Sequence, residues 1–285
     1  MGDPSGIGPS IIAGAISEVK GLADFVVIGD RWVMNQISAV KYPNWQKIKF
    51  IDLDNVSHKD FSFGKIRAAY GKASMEYLDK AMDLIKNYAI DCLVTCPISK
   101  EAIGLAGFNY PGHTEYLAKR TSTKNFVMML LNKDFRISLV TRHIPLKEVF
   151  RIKNPRLVTC GLNPHASDNG LIGDEENKII KPALQKLKSK LRYLDGPLPA
   201  DVAILKAKKK QYDCIIAIYH DQALIPLKLS SSQSGVNMTL GLPFIRTSPL
   251  HGTAFDIAGT NKANPASLIE AIKLAVRCAS NLKKA

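Results

Sequence analysis

The chain has 285 residues, of which 46% are hydrophobic and 22% charged, as is ordinary for a soluble globular protein of one large or two modest domains. No apolar run approaches the roughly 20 residues that span a bilayer, and the N-terminus lacks the pattern of a signal peptide. We therefore expect a cytoplasmic protein with no membrane partner.

The formal net charge of +14 raises the question of a nucleic-acid partner. Most lysines are spread along predicted helices, and the one tight basic run, 206–210, contains no aromatic residue for base stacking. We expect no nucleic-acid partner. A small anionic substrate and a solvated lysine-rich surface account for the charge.

The five cysteines form no Cys-x-x-Cys pair, so we expect them to be reduced and buried.

Apolar runs of strand length alternate with amphipathic helical stretches along the chain. The predicted strands are 25–28, 91–95, 126–131, 136–141, 156–160 and 213–218, the third and fourth forming a neighbouring pair. The predicted helices are 10–19, 74–88, 179–191 and one that begins near Ser267. The strands are continuously apolar, which indicates burial on both faces and predicts an α/β protein with a largely parallel sheet.

Five of the six histidines lie in short polar segments that are rich in Gly, Pro, Asn or Asp. They are His113, His143, His165, His220 and His251. Histidine is the commonest metal ligand and titrates near neutrality, so the shared context predicts an enzyme. Five unrelated surface or structural histidines are the alternative.

Three of these histidines, His143, His165 and His220, each follow a predicted strand. One rim of a sheet can bring them together around a metal ion, where three imidazoles leave coordination positions open for a substrate. Their long spacing in the sequence also allows three isolated side chains.

Lys228, Asn237 and Arg246 recur at nine-residue intervals on a stretch rich in turn residues. The two cations suit a phosphate or carboxylate, and the amide suits a hydroxyl or amine. Solvated charges are the alternative, but Arg246 stands among apolar residues.

The Gly- and Pro-rich turn at 2–9 opens a predicted helix, where it either holds an anion, lines a cofactor cleft or is a tight turn only. The loop at 251–265 is made of small and polar residues that allow close approach of a planar ligand.

Several segments together resemble the PdxA family of 4-hydroxythreonine-4-phosphate dehydrogenases, which act in vitamin B6 biosynthesis. The resembling segments, in the family's order, are 2–9, 96–102, 111–115, 161–166, 196–201, 219–222 and 235–248. The loop at 251–259, with 263–265, also resembles the adenosine-binding loop of isocitrate and isopropylmalate dehydrogenases.

The resemblance implies an isocitrate/isopropylmalate dehydrogenase-like, two-domain α/β sandwich with a mostly parallel sheet. The first domain would comprise 1–100 plus 240–285 and carry the cofactor loop, and the second, 101–239, would carry the metal and dimer elements. The protein would be a homodimer, with the active site between the domains and at the subunit interface.

Family members have a strand ahead of Gly-Asp-Pro, whereas this chain begins at Met1 within that motif. Either the start is truncated or misassigned, or the sheet has lost a strand.

Residue roles carry over from the family by position. The metal ligands would be His143, His165 and His220, holding one divalent ion of zinc, magnesium or cobalt. The substrate contacts would be His113, Thr114, Lys228, Asn237 and Arg246, with Asp201 and Lys228 as catalytic candidates. NAD or NADP would be bound by His251, Gly252, Thr253, Ala254, Asp256 and Asn264.

The implied reaction is NAD(P)-dependent oxidation and decarboxylation of 4-phosphohydroxy-L-threonine to 3-amino-2-oxopropyl phosphate. A paralogue acting on a four-carbon aldonate phosphate would share the metal and phosphate residues. A non-catalytic metal- or nucleotide-binding protein is the alternative from another class. Differences from the family beside the site, such as Ser10 and Ala223, bear on substrate choice rather than on reaction type.

Overall fold

A computed structural model describes residues 1–37, 48–139, 154–230 and 234–283. The chain divides into two compact units, one of Met1–Lys124 with Leu242–Ala285 and one of Asn125–Gly241. Helices alternate with strands, and five of the seven strand pairs given below are parallel. The predicted α/β class with a mostly parallel arrangement is confirmed. Among the described residues, no helix is both long and apolar enough to cross a membrane.

Unit 1 contains six helices and four strands of the described chain, numbered here in chain order over both units. The helices are α1 Gly8–Val19, α2 Arg31–Asn35, α3 Ala68–Lys86, α4 Lys100–Leu105, α5 His113–Arg120 and α9 Ala266–Lys283. The strands are β1 Val26–Gly29, β2 Lys49–Asp52, β3 Cys92–Val94 and β10 Ile245–Pro249. Strand β1 pairs in parallel with β2, and β3 pairs in parallel with β10.

The core of unit 1 is built around α1, because ten of its twelve residues are buried. A helix that is apolar on every side is stable only in an interior. Its Ile11 and Ile16 share one hydrophobic cluster with Leu268 and Ile272 of α9. These two helices therefore hold the first and last parts of the chain together.

Strands β1 and β3 both line a cavity of ≈ 1030 Å³ in unit 1, together with apolar side chains of α1, α3 and α9. The ammonium group of Met1 lies at this cavity and donates a hydrogen bond to the Ile28 carbonyl, with a nitrogen–oxygen distance of 2.8 Å. Burial lowers the pKa of this ammonium. Within the described residues, β1 has β2 as its one strand partner, and no strand precedes α1.

Unit 2 contains six strands and three α-helices of the described chain. The strands are β4 Val127–Leu131, β5 Arg136–Leu139, β6 Leu157–Cys160, β7 Leu194–Leu198, β8 Cys214–Ala217 and β9 Val236–Leu240. The helices are α6 Lys181–Lys188, α7 Ala200–Lys208 and α8 His220–Ser230, with a tight turn at Pro164–Gly170 and a wide helical turn at Glu176–Ile180.

The sheet of unit 2 has the strand order β9-β4-β5-β8-β6-β7. The pairs at its start, β9 with β4 and β4 with β5, are antiparallel, and β5, β8, β6 and β7 are mutually parallel. The predicted pair at 126–131 and 136–141 is confirmed over the described residues. Its turn is closed by the Asn132 side-chain oxygen, which accepts hydrogen bonds from the N–H groups of Asp134 and Phe135 at 2.9 and 2.8 Å.

The stretch rich in turn residues that contains Lys228, Asn237 and Arg246 includes α8, β9 and β10, and its Gly and Pro residues separate these elements. Helix α4 packs closely on α3 within unit 1. The division into domains after residues 100 and 239 stays a prediction.

Gly71 of α3 provides a test of this helix packing. A Cβ atom at Gly71 would overlap the backbone carbonyl of Ala102 in α4, whereas a Cβ atom at Gly104 would meet nothing within 4 Å. We expect Gly71→Ala to lower the free energy of unfolding by about 2 kcal/mol or more, because backbone cannot move aside as a side chain can.

Gly104→Ala is the matched control. It should raise the free energy of unfolding by about 0.5–1 kcal/mol, because alanine favours the helix and gains no clash. Urea titrations of the two variants measure both values. A Gly71→Ala variant as stable as the wild type would contradict the α3–α4 packing described here.

Candidate active site

A buried guanidinium is the electrostatic centre of unit 1. Arg246 lies on β10 and its side chain is 2% exposed. Its Nη2 donates to the hydroxyl of Thr95 at 2.7 Å, and its Nη1 lies 3.5 Å from the hydroxyl of Thr114. Burial lowers the pKa of Arg246 to about 10, while the Glu115 carboxylate opposes this shift. The guanidinium therefore remains charged at neutral pH, in a position that favours an anion.

Thr95 was not among the residues singled out from the sequence. It directly follows β3, and its N–H donates to the Thr247 carbonyl at 3.0 Å, which continues the pairing of β3 with β10. The sequence contains a feature that could have identified Thr95, because it is a hydroxyl residue at the carboxyl end of an apolar strand. Polar residues at that position lie where α/β sheets bind their ligands.

His113 begins α5, and its imidazole is held in the neutral form. Burial lowers its pKa well below the ordinary value of 6.5, and the charges of Arg246 and the Met1 ammonium lower it further. One ring nitrogen is hydrogen-bonded to the Cys96 backbone carbonyl, so that nitrogen carries the proton. Among the described residues, no group hydrogen-bonds to Nε2. His113 thus presents a buried hydrogen-bond acceptor. It lies in one cluster with Thr114 and Arg246, two other residues for which the family resemblance implies substrate contacts.

The Gly- and Pro-rich turn at 2–9 does not offer an open anion site. The N–H of Ser5 donates to the Asp3 carboxylate, that of Gly6 to the Asp3 carbonyl, and that of Ile7 to the Thr253 carbonyl. Burial also raises the pKa of Asp3 to about 6. Because these N–H groups already have acceptors, the turn instead supports the loop that contains Thr253.

That loop is the segment predicted to bind the cofactor. A Cβ atom at Gly6 would lie 3.1 Å from the Thr253 carbonyl oxygen, so the loop and the turn approach as closely as glycine allows. Burial lowers the pKa of His251, and its Nε2 has no hydrogen-bond partner within the part of the chain described. Asn264 accepts a hydrogen bond from the Ala266 N–H at 2.9 Å, which gives it a structural role at the start of α9. The remaining predicted cofactor residues, Gly252, Ala254 and Asp256, are exposed or half-buried in the same loop.

Two of the three predicted metal ligands follow neighbouring strands of unit 2. His165 follows β6 and His220 follows β8, and these strands pair in parallel, so both loops leave the same edge of the sheet. Strand β5 pairs in parallel with β8 on its other side and ends at Leu139. His143, four residues beyond, lies outside the described residues.

The contact that His220 makes is typical of a metal-binding histidine. Both imidazoles are exposed, and Nδ1 of His220 lies 2.7 Å from the Asp221 carboxylate. A carboxylate that accepts the Nδ1 proton leaves Nε2 as the metal-binding nitrogen, which is the usual arrangement around ligating histidines. His165 has φ of 55° and begins a run of five consecutive residues in the left-handed region.

The other predicted residues of unit 2 occupy separate elements. Lys228 is exposed in the last turn of α8, and Asp201 is exposed in the first turn of α7. Asn237 lies half-buried on β9, opposite Leu130 of β4. Its side-chain oxygen is buried and has no hydrogen-bond partner among the described residues.

Asp30, Asp54 and His58 form a further group with metal-like spacing, since their ligand atoms lie within 4.8 Å of one another. Asp30 has a structural role here. Its two carboxylate oxygens accept hydrogen bonds from the N–H groups of Val33, in the first turn of α2, and Val56. The group is therefore distinct from the predicted histidine site.

The fold and these clusters define a two-unit α/β protein with a buried arginine beside two threonine hydroxyls in one unit, and with two exposed histidines that follow neighbouring parallel strands in the other. Residues 21–152 and 147–275 match the family model described as pyridoxal phosphate biosynthetic protein PdxA. The chain belongs to the PdxA family, and it is a dehydrogenase, as its curated relatives are.

Relatives named for two different substrates are similar to this chain at nearly the same identity. The chain is 40% identical to 4-hydroxythreonine-4-phosphate dehydrogenase of Sulfurihydrogenibium sp. (strain YO3AOP1), over 97% of this chain and 96% of the relative. It is 39% identical to D-threonate 4-phosphate dehydrogenase of Salmonella typhimurium, over 98% and 97%.

The solved structures agree with this assignment. A putative 4-hydroxythreonine-4-phosphate dehydrogenase from Salmonella typhimurium matches with a TM-score of 0.84 at 38% identity, covering 98% of this chain and 97% of that one. The 4-hydroxythreonine-4-phosphate dehydrogenase from Klebsiella pneumoniae matches with a TM-score of 0.83 at 35% identity, over 98% and 96%.

The lowered pKa of His113 predicts a pH dependence of stability. The unfolded chain takes up the proton near pH 6.5 while the folded protein does not. The free energy of unfolding should therefore fall as the pH is lowered through 6.5 towards the folded-state pKa, by at most about 1.4 kcal/mol per pH unit from this group.

The His113→Asn variant should reduce this slope in denaturant titrations between about pH 5.5 and 7.5. The control is His58→Asn, which changes an exposed imidazole stacked on Trp32. An identical slope in wild type and His113→Asn would show that folding does not lower the pKa of His113.

Proposed function

We propose that this dehydrogenase uses NAD or NADP and a divalent metal ion to oxidise and decarboxylate 4-phosphohydroxy-L-threonine, giving 3-amino-2-oxopropyl phosphate for pyridoxal phosphate biosynthesis. The observation that carries the proposal is the buried, charged Arg246 with the hydroxyl groups of Thr95 and Thr114 beside it. The names of the relatives, each a dehydrogenase of a four-carbon phosphate, support the same substrate class.

Arg246 would bind the phosphate group of the substrate. A guanidinium in a low-dielectric surrounding attracts an anion more strongly than one in water, and its planar donors suit phosphate oxygens. The Thr114 hydroxyl would add a hydrogen bond. Nε2 of His113, a neutral acceptor, would accept a hydrogen bond from a substrate hydroxyl or amine.

The metal would be held by His165 and His220, with His143 as the third ligand. The exposed imidazoles at one sheet edge, and the Asp221 carboxylate on Nδ1 of His220, fit a divalent ion such as zinc, cobalt or magnesium. When bound, such an ion lowers the pKa of a substrate hydroxyl and stabilises negative charge on its oxygen. Lys228 would contact the substrate as a catalytic residue, and Asp201 would orient the metal or accept a proton.

The cofactor would be held by the loop that contains His251, Gly252, Thr253, Ala254, Asp256 and Asn264. Nε2 of His251, buried without a partner in the described chain, fits a polar group of the nucleotide. NAD or NADP bound by this loop would supply the acceptor for the hydride that oxidation removes from the substrate. The contribution of the loop residues would be to hold the cofactor in one position relative to the substrate.

A four-carbon aldonate phosphate, such as D-threonate 4-phosphate, is the second candidate substrate. It carries a hydroxyl where 4-phosphohydroxythreonine carries an amine. The Asn237 side-chain oxygen, which is buried and has no partner among the described residues, can accept a hydrogen bond from either group. The similar identities of the two kinds of relative favour neither substrate.

We further propose that the protein is a cytoplasmic homodimer. Its five described cysteines are free, four of them buried, which suits a reducing compartment. Unit 2 exposes large apolar side chains, among them Leu171, Ile179, Ile225 and Leu229, which suit a protein partner. Light scattering of the purified protein would measure its oligomeric state.

The reaction is tested by offering the purified protein 4-phosphohydroxythreonine and D-threonate 4-phosphate in parallel, with NAD or NADP and added zinc, cobalt or magnesium. We expect NADH or NADPH formation with at least one substrate, and inhibition by a chelator. Metal binding without turnover of either substrate would favour the non-catalytic alternative.

A single substitution tests the metal site. His165→Ala should lower turnover at least ~100-fold, because one of three proposed metal ligands is lost, while the circular dichroism spectrum stays unchanged. His58→Ala, which removes an exposed imidazole of unit 1, should leave turnover close to that of the wild type. Substantial activity in His165→Ala would mean that the metal, if used, is held elsewhere.

A further inference from the structure

We propose that Gln222 is a positioning residue that sets the relation between His165 and His220. The inference rests on the metal site of the proposed function. Gln222 lies two residues after His220 in the first turn of α8, and its side chain is 7% exposed. Sequence reasoning assigned it no role.

The side-chain amide of Gln222 joins the ends of two strands. Its Oε1 accepts a hydrogen bond from the N–H of Ile218 at 2.7 Å, and its Nε2 donates to the carbonyl of Gly161 at 2.8 Å. Ile218 directly follows β8, and Gly161 directly follows β6. The bond to Gly161 is buried and the bond to Ile218 is partly buried, so loss of the Gln222 amide would leave the Gly161 carbonyl in the interior without this partner, which is costly.

These bonds extend the parallel pairing of β6 with β8 past its last backbone partners. In the register of the two strands Thr159 pairs with Ile216, two residues before Gly161 and Ile218. Just beyond these partners, the amide of Gln222 bridges the segments that follow the two strands. The segment after β8 leads to His220 and the segment after β6 leads to His165. Gln222 therefore fixes the point at which the two segments separate.

The loop on the His165 side packs closely on Gly161. A Cβ atom at Gly161 would lie 2.8 Å from the Cα of Ala166 and 3.1 Å from the Glu176 carboxylate. Glu176, fully buried, accepts the N–H groups of Leu162 and Asn163, both at 2.8 Å. A displacement of Gly161 is therefore transmitted to His165.

His165 belongs to a strained segment that depends on such support. His165 to Asn169 all have φ between 47° and 68°, and none is glycine. The left-handed conformation costs such residues about 1 kcal/mol each, so the surrounding contacts must hold them. Gln222 anchors the residue on which this turn packs.

Gln222 is not itself a candidate ligand, because both polar atoms of its amide are hydrogen-bonded to backbone. Replacing it would leave both histidines in the chain and change only how they are held. The expected consequence is weaker metal binding by a folded protein, which distinguishes positioning from a purely structural role.

The test is Gln222→Met, which keeps the length of the side chain and removes both hydrogen bonds. Its matched control is Gln211→Met, the same change at an exposed glutamine in unit 2. Zinc affinity is measured by competition with a chromophoric chelator, and the cobalt-loaded proteins are compared by their visible absorption. We expect Gln222→Met to weaken zinc binding 10–100-fold, roughly the effect of losing a group that orients metal ligands, and to alter the cobalt spectrum. Gln211→Met should do neither.

Gln222→Glu serves as a second variant, since it keeps the acceptor for Ile218 but puts an oxygen against the Gly161 carbonyl. It should also weaken zinc binding. Wild-type zinc affinity in either folded Gln222 variant, with only a lower melting temperature, overturns the inference and leaves the metal site intact. Absence of zinc and cobalt binding in the wild type itself would overturn the proposed metal site, and this inference with it.

Discussion

The parallel pairing of β5, β8 and β6 is the constraint on which the arrangement of unit 2 depends. Parallel strands end at one edge of a sheet, so whatever follows them begins there. The chain uses this edge for His165 and His220, and β5 ends there before His143. His165 and His220 are more than fifty residues apart in the sequence, yet the loops that contain them start at neighbouring strand ends. No local sequence motif is needed for this arrangement.

In unit 1, the arrangement of the candidate substrate site depends on the burial of ionisable groups. Arg246 and His113 share an interior surrounding, which lowers the pKa of both groups. The outcomes differ because arginine starts from a far higher pKa than histidine. The guanidinium stays charged and the imidazole stays neutral at the same pH. One cluster therefore contains a cation that suits a phosphate and an acceptor that suits a hydroxyl.

Prediction from the sequence succeeded where a local pattern dominates. Continuous apolar runs identified β1, β3, β4, β5, β6 and β8, and the Asn132 turn joined β4 to β5 correctly. It failed for β9 and β10, where short buried strands stand among Gly and Pro residues that resemble turns. Thr95 and Gln222 were missed for another reason. Their roles come from bonds to Arg246, Gly161 and Ile218, of which only Ile218 is close in sequence.

The sequence by itself determined the α/β class, the order of most elements, the family and the residue types available for chemistry. Those properties follow from periodicity, composition and motifs, all of which are local. Tertiary structure alone decided that Arg246 is buried beside Thr95 and Thr114, that His113 is neutral, and that Gln222 joins the ends of β6 and β8. Burial and hydrogen bonding between distant residues arise only when strands and helices pack, so no local pattern could specify them.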